Sequence, residues 1–212
     1  MSPESDGMEY VRHSMVADLQ RKGILSESLL KVMLKIPRHL FISEALRYGA
    51  YDDVSLPLGF GQTISKPSII AMMVQALNLT GRERVLEIGS GSGYQSAIIA
   101  ELSKSLVTIE RIKELYRRAR DILFNLNYSN VKAVHTDDFN SVQGEFDAII
   151  MSAGAESLPA GLVEKLVIGG KLVLPVGNGS AHQIKRIIRD SETSFIEDSI
   201  GKAKFVPHIT SQ

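Results

Sequence analysis

The stretch Val85-Leu86-Glu87-Ile88-Gly89-Ser90-Gly91-Ser92-Gly93-Tyr94 constrains this chain more than any other. An apolar, β-prone run enters three glycines at alternate positions, and a helical pattern over residues 95–102 follows at once. Strand, tight turn and helix N-terminus bring backbone N–H groups and the positive end of a helix dipole to one point, where a ligand can sit. The glycines let the backbone approach that ligand without a Cβ in the way. A second short strand, Leu106-Val107-Thr108-Ile109, ends in Glu110. An acid about 20 positions beyond such a turn is placed to hold a ribose diol. The pattern predicts an adenosine-containing cofactor at the carboxyl ends of a parallel sheet.

Details of the turn select among such cofactors. A dinucleotide turn reads Gly-x-Gly-x-x-Gly; here the third glycine comes one residue early, at Gly93, and Tyr94 occupies the glycine position. Glu87 sits inside the first strand, just before the turn. A carboxylate there repels a pyrophosphate and attracts a cationic amino-acid group. S-adenosyl-L-methionine carries an α-ammonium and a sulfonium, and so fits better than a nicotinamide dinucleotide. The plainer alternative is that Glu87 only hydrogen-bonds the turn. Gly89, Ser90, Gly91 and Gly93 are the cofactor-binding backbone on this reading, with Glu87 and Glu110 as its acids.

With 212 residues the chain suits one substantial core and a single domain. Its 24 basic and 24 acidic residues cancel, so there is no excess of the kind nucleic-acid binders use to displace counterions. No cysteine is present, which excludes disulfides, thiolate metal sites and a thiol nucleophile, and suits a cytoplasmic protein. No apolar run approaches a membrane span, and the polar start, Met1-Ser2-Pro3-Glu4-Ser5-Asp6, reads as a frayed end rather than a signal peptide. The expectation is a cytoplasmic enzyme without nucleic-acid or membrane partners, with a monomer favoured.

Three regions follow within the single domain: N-terminal helices and a loop over 1–80, a cofactor core over 81–177 and C-terminal strands over 178–212. Met8, Val11, Met15 and Leu19 recur at helical spacing, as do Leu29, Leu30, Met33 and Leu34, with Gly23 as a helix stop between them. Pro37 closes the second helix. A loop-rich segment runs to Pro67, and residues 69–79 read as a helix. Strands are expected near 85–88, 106–109, 131–135, 146–151 and 171–176, with helices over 112–126 and 159–167. Gly169-Gly170 reads as a sharp helix stop. After Gly177 two strands are expected, at least one antiparallel. The architecture implied is α/β: a doubly wound, mostly parallel, Rossmann-like sheet with helices on both faces and N-terminal helices added.

Gly59-Phe60-Gly61-Gln62-Thr63-Ile64-Ser65-Lys66-Pro67 is flexible at its glycines and then dense in hydrogen-bonding side chains. Ser65 suits a helix N-cap and Pro67 a first helical turn. Periodicity alone favours the cap, although one residue can serve as both cap and site.

At this loop a specific resemblance emerges. Pro37-Arg38-His39-Leu40-Phe41, Ala50-Tyr51-Asp52-Asp53 and the segment Leu56-Pro57-Leu58 through Pro67 resemble the motifs of the protein-L-isoaspartate O-methyltransferase family. The turn from Val85, Ile109-Glu110-Arg111, Phe146-Asp147-Ala148-Ile149-Ile150, Gly169-Gly170, Leu174-Pro175-Val176-Gly177 and Phe205-Val206-Pro207 follow in the family's order. The resemblance implies methyl transfer from S-adenosyl-L-methionine to the free carboxylate of L-isoaspartyl residues in damaged proteins and peptides. The ester then collapses to a succinimide with loss of methanol, and hydrolysis returns part of it to aspartate. It also implies Ser65 as the active-site serine, Glu110 as the ribose acid and Asp137 beside the adenine; backbone groups of Gln62, Thr63 and Ile64 are candidate substrate-binding neighbours, and Asp138 a further candidate beside the cofactor. Two departures stand out. Thr136-Asp137-Asp138 replaces the family's Gly-Asp-Gly, with Asp138 available instead as an N-cap. Met151-Ser152-Ala153-Gly154 stands where Thr-Ala is common.

The chemistry agrees with that implication. A carboxylate is already ionised at pH 7, its pKa being about 4, so it needs no general base. Catalysis reduces to alignment and exclusion of water. His13, His39, His135, His182 and His208 show no metal-ligand spacing, and no metal is expected. Amino-group methylation is disfavoured, because nothing in residues 151–156 resembles an Asn/Asp-Pro-Pro-aromatic turn. Methylation of a small-molecule carboxylate, nicotinamide-dependent redox chemistry and a catalytically weak binding homologue are the competing readings.

Overall fold

The computed structural model describes residues 8–178 and 181–206. The expected frayed start, His208 and Pro207 of the C-terminal motif lie outside the described residues. Five α-helices are described, α1 (Glu9–Arg21), α2 (Glu27–Lys35), α3 (Pro67–Leu77), α4 (Tyr94–Leu102) and α5 (Lys113–Asn125). The strands are β1 (Leu56–Gly59), β2 (Gln62–Ile64), β3 (Arg84–Ile88), β4 (Ser105–Glu110), β5 (Val131–His135), β6 (Phe146–Met151), β7 (Leu166–Val176), β8 (His182–Arg189) and β9 (Phe195–Ala203).

Strands β3 to β9 form a seven-stranded sheet in the order β5-β4-β3-β6-β7-β8-β9. The first five are parallel, and β8 and β9 join antiparallel, as the C-terminal pattern implied. Strand order reverses at β3, whose neighbours are β4 and β6. This is the switch point at which open α/β sheets bind ligands, beyond the strands' carboxyl ends.

Side chains alternate across the sheet and divide the interior into two cores. On one face Val85, Leu106, Ala148, Ile150, Val173 and Ile184 pack with the apolar sides of α1 to α4. On the other, Leu86, Ile88, Val107, Ile149, Met151 and Leu172 meet Val142, Phe146, Leu162 and Leu166. The doubly wound connectivity is present, but short 3-10 turns, Phe139–Ser141 and Val163–Lys165, stand on this second face where α-helices were expected. The helix expected over 159–167 is therefore replaced by a 3-10 turn and the start of β7.

Gly169-Gly170 is likewise not a helix stop. It lies within β7, where the pairing with β6 jumps between Phe146 and Ala148. Gly169 has φ +83°, and a Cβ on Gly170 would lie 2.8 Å from the Val167 carbonyl oxygen. The pair makes a bulge in which Gly169 takes the left-handed backbone and Gly170 has no room for a side chain.

The segment expected as loop between Pro37 and Pro67 is more ordered than its composition suggests. It holds 3-10 turns at Arg38–Phe41 and Glu44–Gly49 and an antiparallel hairpin of β1 with β2. The hairpin turns through Phe60 and Gly61, with φ +55° and +70°, the backbone of a type I′ connection.

Ser65 does not cap α3. Pro67 holds the residue before it extended, so Lys66 takes the N-cap position, with φ −61° and ψ 148° and no side-chain cap bond. The cap comes from a distant residue, Asp53 Oδ1 accepting from the Ser68 N–H at 2.9 Å.

Candidate active site

The turn after β3 carries three residues in the left-handed region, Gly89, Gly91 and Gly93, at φ +90°, +52° and +86°. Its fold is pinned from β4: the Ile109 carbonyl accepts from the N–H groups of Gly89 at 2.9 Å and Ser90 at 3.2 Å. Gly93 is the N-cap of α4, and a Cβ there would sit 3.1 Å from Ala119 Cβ, so the glycine also lets α4 and α5 approach. Ser92 Oγ accepts from the Tyr94 N–H at 3.2 Å.

Glu110 ends β4 with 7 % exposure. Its Oε2 accepts from the Gly91 N–H at 3.0 Å and its Oε1 from the Ile112 N–H at 2.9 Å. A carboxylate offers about four lone-pair sites, so each oxygen keeps one for a diol. Glu110 thus braces the turn and retains capacity for a ribose.

Glu87 is fully buried and lines neither pocket at the strand ends. It accepts from Gln95 Nε2 at 2.9 Å, Thr108 Oγ1 at 2.7 Å and Ser96 Oγ. Burial raises its carboxyl above the usual range, outweighing three hydrogen bonds that act the other way. Glu87 is therefore set behind the cavity wall rather than in it, and Gln95 stands between the two. That amide donates to Glu87 and also to Ser152 Oγ at 2.7 Å, and its oxygen has no partner among the described residues.

Two adjoining pockets lie over the switch point. One is walled by Gly89, Ser90, Gly91, Ser92 and Gln95 on the turn side and by Gln62, Thr63, Ile64 and Ser65 on the hairpin side. The other runs from Glu110 to Arg111, Thr136 and Asp137. Gln62, Gly89, Glu110 and Ala153 belong to both. The half-buried Ser65 hydroxyl has no hydrogen bond to another described residue. The substrate-loop residues and the glycine turn, more than twenty positions apart in sequence, therefore share one cavity.

Asp138 is not in that wall. It is exposed, and its Oδ1 accepts from the Asn140 N–H at 2.8 Å, capping the 3-10 turn at Phe139–Ser141. A larger cleft of about 760 Å³ lies on the other side of β1, between Leu40, Leu46, Leu58, Leu115 and Ile122. It includes Gly91 and Ser92 but neither Ser65 nor Glu110.

No metal-binding group of His, Asp or Glu occurs among the described residues. His39 Nδ1 is 2.8 Å from the Tyr51 hydroxyl and His135 Nε2 3.1 Å from the Arg111 carbonyl, both structural contacts. The residue missed from sequence is Gln95. Its signal was a polar pair, Gln95-Ser96, opening a helix that is apolar up to Glu101 and buried at every position but that one.

A Rossmann-like sheet, a glycine turn at its switch point and a buried acid at the end of the next strand define a nucleoside-cofactor methyltransferase architecture. The family profile described as protein-L-isoaspartate(D-aspartate) O-methyltransferase matches residues 10–212, and the chain belongs to that family. It is 45 % identical over 198 residues to protein-L-isoaspartate O-methyltransferase 2 of Geotalea uraniireducens, covering 92 % of this chain and 91 % of the relative. It is 46 % identical over 193 residues to the protein-L-isoaspartate O-methyltransferase of Syntrophus aciditrophicus, covering 89 % and 88 %. Among solved structures, a Plasmodium falciparum protein-L-isoaspartate O-methyltransferase in complex with S-adenosyl-L-homocysteine superposes with a TM-score of 0.81. It shares 26 % identity, and 93 % of this chain and 98 % of that one are covered.

Proposed function

We propose that this chain is a protein-repair methyltransferase that moves a methyl group from S-adenosyl-L-methionine to the free carboxylate of L-isoaspartyl residues. The observation that carries the reading is the shared cavity, in which Ser65 and the Gly89-to-Gly93 turn face one another. Family membership supports the reaction, and the Plasmodium falciparum relative in complex with S-adenosyl-L-homocysteine supports the cofactor. The cofactor, when bound, supplies an electrophilic methyl group on a sulfonium.

The remaining work belongs to the chain's residues. Glu110 holds the ribose hydroxyls, and Asp137 lies in the pocket wall beyond it as the adenine-side acid. Gly89, Ser90, Gly91 and Gly93 bring backbone against the amino-acid portion. The Gln95 amide oxygen, fixed by Glu87 and Ser152, accepts from the α-ammonium. Ser65 donates to the substrate carboxylate and turns one oxygen in line with the methyl, with Gln62, Thr63 and Ile64 holding the substrate backbone. Opposite charges on carboxylate and sulfonium cancel as the bond forms, so a water-poor cavity assists the step.

Selectivity follows from geometry. In isoaspartate the free carboxylate hangs directly on Cα while the main chain is one methylene longer. A site that clamps both rejects the normal isomer, since displacing a nucleophile by about 1 Å costs around a hundredfold.

No helix among the described residues is long and apolar enough to cross a membrane, and the formal net charge is zero. The zero net charge supports a reading without a nucleic-acid partner, and the reading is completed by a cytoplasmic, single-domain monomer acting on damaged proteins. The deciding experiment is methyl transfer from labelled S-adenosyl-L-methionine to an isoaspartyl peptide beside its aspartyl isomer. Methylation of the isoaspartyl peptide alone is expected; equal labelling of both defeats the repair reading.

A further inference from the structure

The Pro37-Arg38-His39-Leu40-Phe41 turn has no role in the chemistry above, yet it places a cation directly behind Ser65. Residues i and i+3 eclipse in a 3-10 turn, so Arg38 and Phe41 share a face. Both meet Tyr94, the residue that opens α4 directly after the cofactor turn. Arg38 Cζ lies 4.8 Å from the centroid of the Tyr94 ring, and the Phe41 ring meets it edge-on at 5.5 Å. The same guanidinium donates from Nε to the Ala50 carbonyl at 2.7 Å and from Nη2 to the Ser65 carbonyl at 2.8 Å.

Arg38 is 0 % exposed, its Nη1 has no partner, and no carboxylate pairs with it among the described residues. Burial pushes the guanidinium down to about 10, which still leaves it charged at neutral pH. An unpaired buried cation is a poor stabiliser compared with an apolar side chain of the same volume. What the charge provides is a pair of strengthened hydrogen bonds in a rigid fork, which a lysine cannot reproduce.

We propose that Arg38 is a positioning residue that sets the Ser65 loop in register with the cofactor turn, gripping Ser65 by its carbonyl and Tyr94 by its ring. The inference rests on the reading of Ser65 as the group that orients the substrate carboxylate. Arg38 itself touches neither substrate nor cofactor. It fixes how far the Ser65 hydroxyl stands from the reacting carbon.

The test uses Arg38→Lys and Arg38→Gln, each alone and combined with Ser65→Ala. Four quantities are measured: kcat and KM for an isoaspartyl peptide, the Kd of S-adenosyl-L-homocysteine by calorimetry, and the thermal melt. Each Arg38 variant is expected to lower kcat by about tenfold or more while Kd stays within about threefold, since a misplaced loop costs alignment rather than cofactor contacts. In the double variants the loss should be no more than about twofold beyond Ser65→Ala alone, because two residues acting as one unit are not additive. Additive losses, with Ser65→Ala itself impaired, overturn the role of Arg38 and leave that of Ser65 standing. Full activity in Ser65→Ala overturns both. A melt or cofactor affinity that collapses in both Arg38 variants, or a folded Arg38→Lys with unchanged kcat, makes Arg38 a framework residue and overturns the proposal.

Discussion

Glu110 carries two tasks on one carboxylate. It braces Gly91 and Ile112 through their N–H groups and, on the proposed reading, offers its remaining lone pairs to the ribose. Glu110→Ala should weaken S-adenosyl-L-homocysteine by at least about tenfold, since charge-assisted hydrogen bonds are worth roughly 1.5–3 kcal/mol each. An unchanged Kd in a folded variant would remove Glu110 from the site. Asp138→Gly makes the contrast. Asp138 caps a three-residue 3-10 turn outside the pocket, so the change should cost only a few tenths of a kcal/mol and leave the cofactor Kd unmoved. Glu87 adds a pH signature. Its folded pKa is raised, so its titration favours folding at low pH and that contribution fades as pH rises from the ordinary carboxylate range through the raised value. Glu87→Gln removes this dependence. The stability of wild type relative to the variant, read from denaturant melts, should therefore decline with rising pH across that window. A flat difference would mean Glu87 is not perturbed.

At the scale of elements, the hairpin is where strain and site coincide. Phe60 holds φ +55° at the tip while half its surface is exposed, and Arg118 lies 5.8 Å from its ring centroid. A bulky side chain in the left-handed region costs about 1–2 kcal/mol, which asparagine largely avoids. Phe60→Asn should raise the melting temperature by about 2–4 °C per kcal/mol gained in a chain of this size and raise KM for the peptide, since such strain persists at functional positions. A lower melting temperature would show that the aromatic contact outweighs the strain. Elements β3, β4 and β6 were legible because each is a largely apolar run bounded by turn residues, and β5 because its β-branched residues follow a turn at the expected spacing. The hairpin was not, because β1 and β2 have four and three residues and no alternation to read. The 159–167 segment failed for a different reason: Leu162, Val163 and Leu166 are spaced as on a helix, but they close the sheet's second face from a 3-10 turn. At the site, the turn and Glu110 were legible because their spacing is local. Arg38 and Gln95 were not, because only the fold brings them to Ser65 and Glu87.

For the whole molecule, the question is whether the N-terminal helices are an appendage to the cofactor core. The packing says they are its cover. Met15 and Leu19 of α1, Leu29 and Met33 of α2 and Ile70 and Val74 of α3 belong to the same buried cluster as Val85, Ala148 and Val173 of the sheet. Separating residues 8–80 would leave only α4 and α5 on that face and bare the part of the sheet that α3 covers, and parallel sheets are stable only with both faces covered. The chain should therefore unfold in a single calorimetric transition whose measured and van't Hoff enthalpies agree. Binding should move that transition as one: S-adenosyl-L-homocysteine at 100 times its Kd adds about 2.7 kcal/mol to the folded state, a rise on the order of 5–10 °C at the size-scaled slope. Because the cavity proposed for the ligand is walled by both the turn after β3 and the hairpin between α2 and α3, the helical circular dichroism and the protection of core amides in β3, β4 and β6 should shift together. Two resolved transitions, with only the later one moved by ligand, would mean that the N-terminal helices form a separate unit and that Ser65 reaches the cofactor turn by docking rather than by folding.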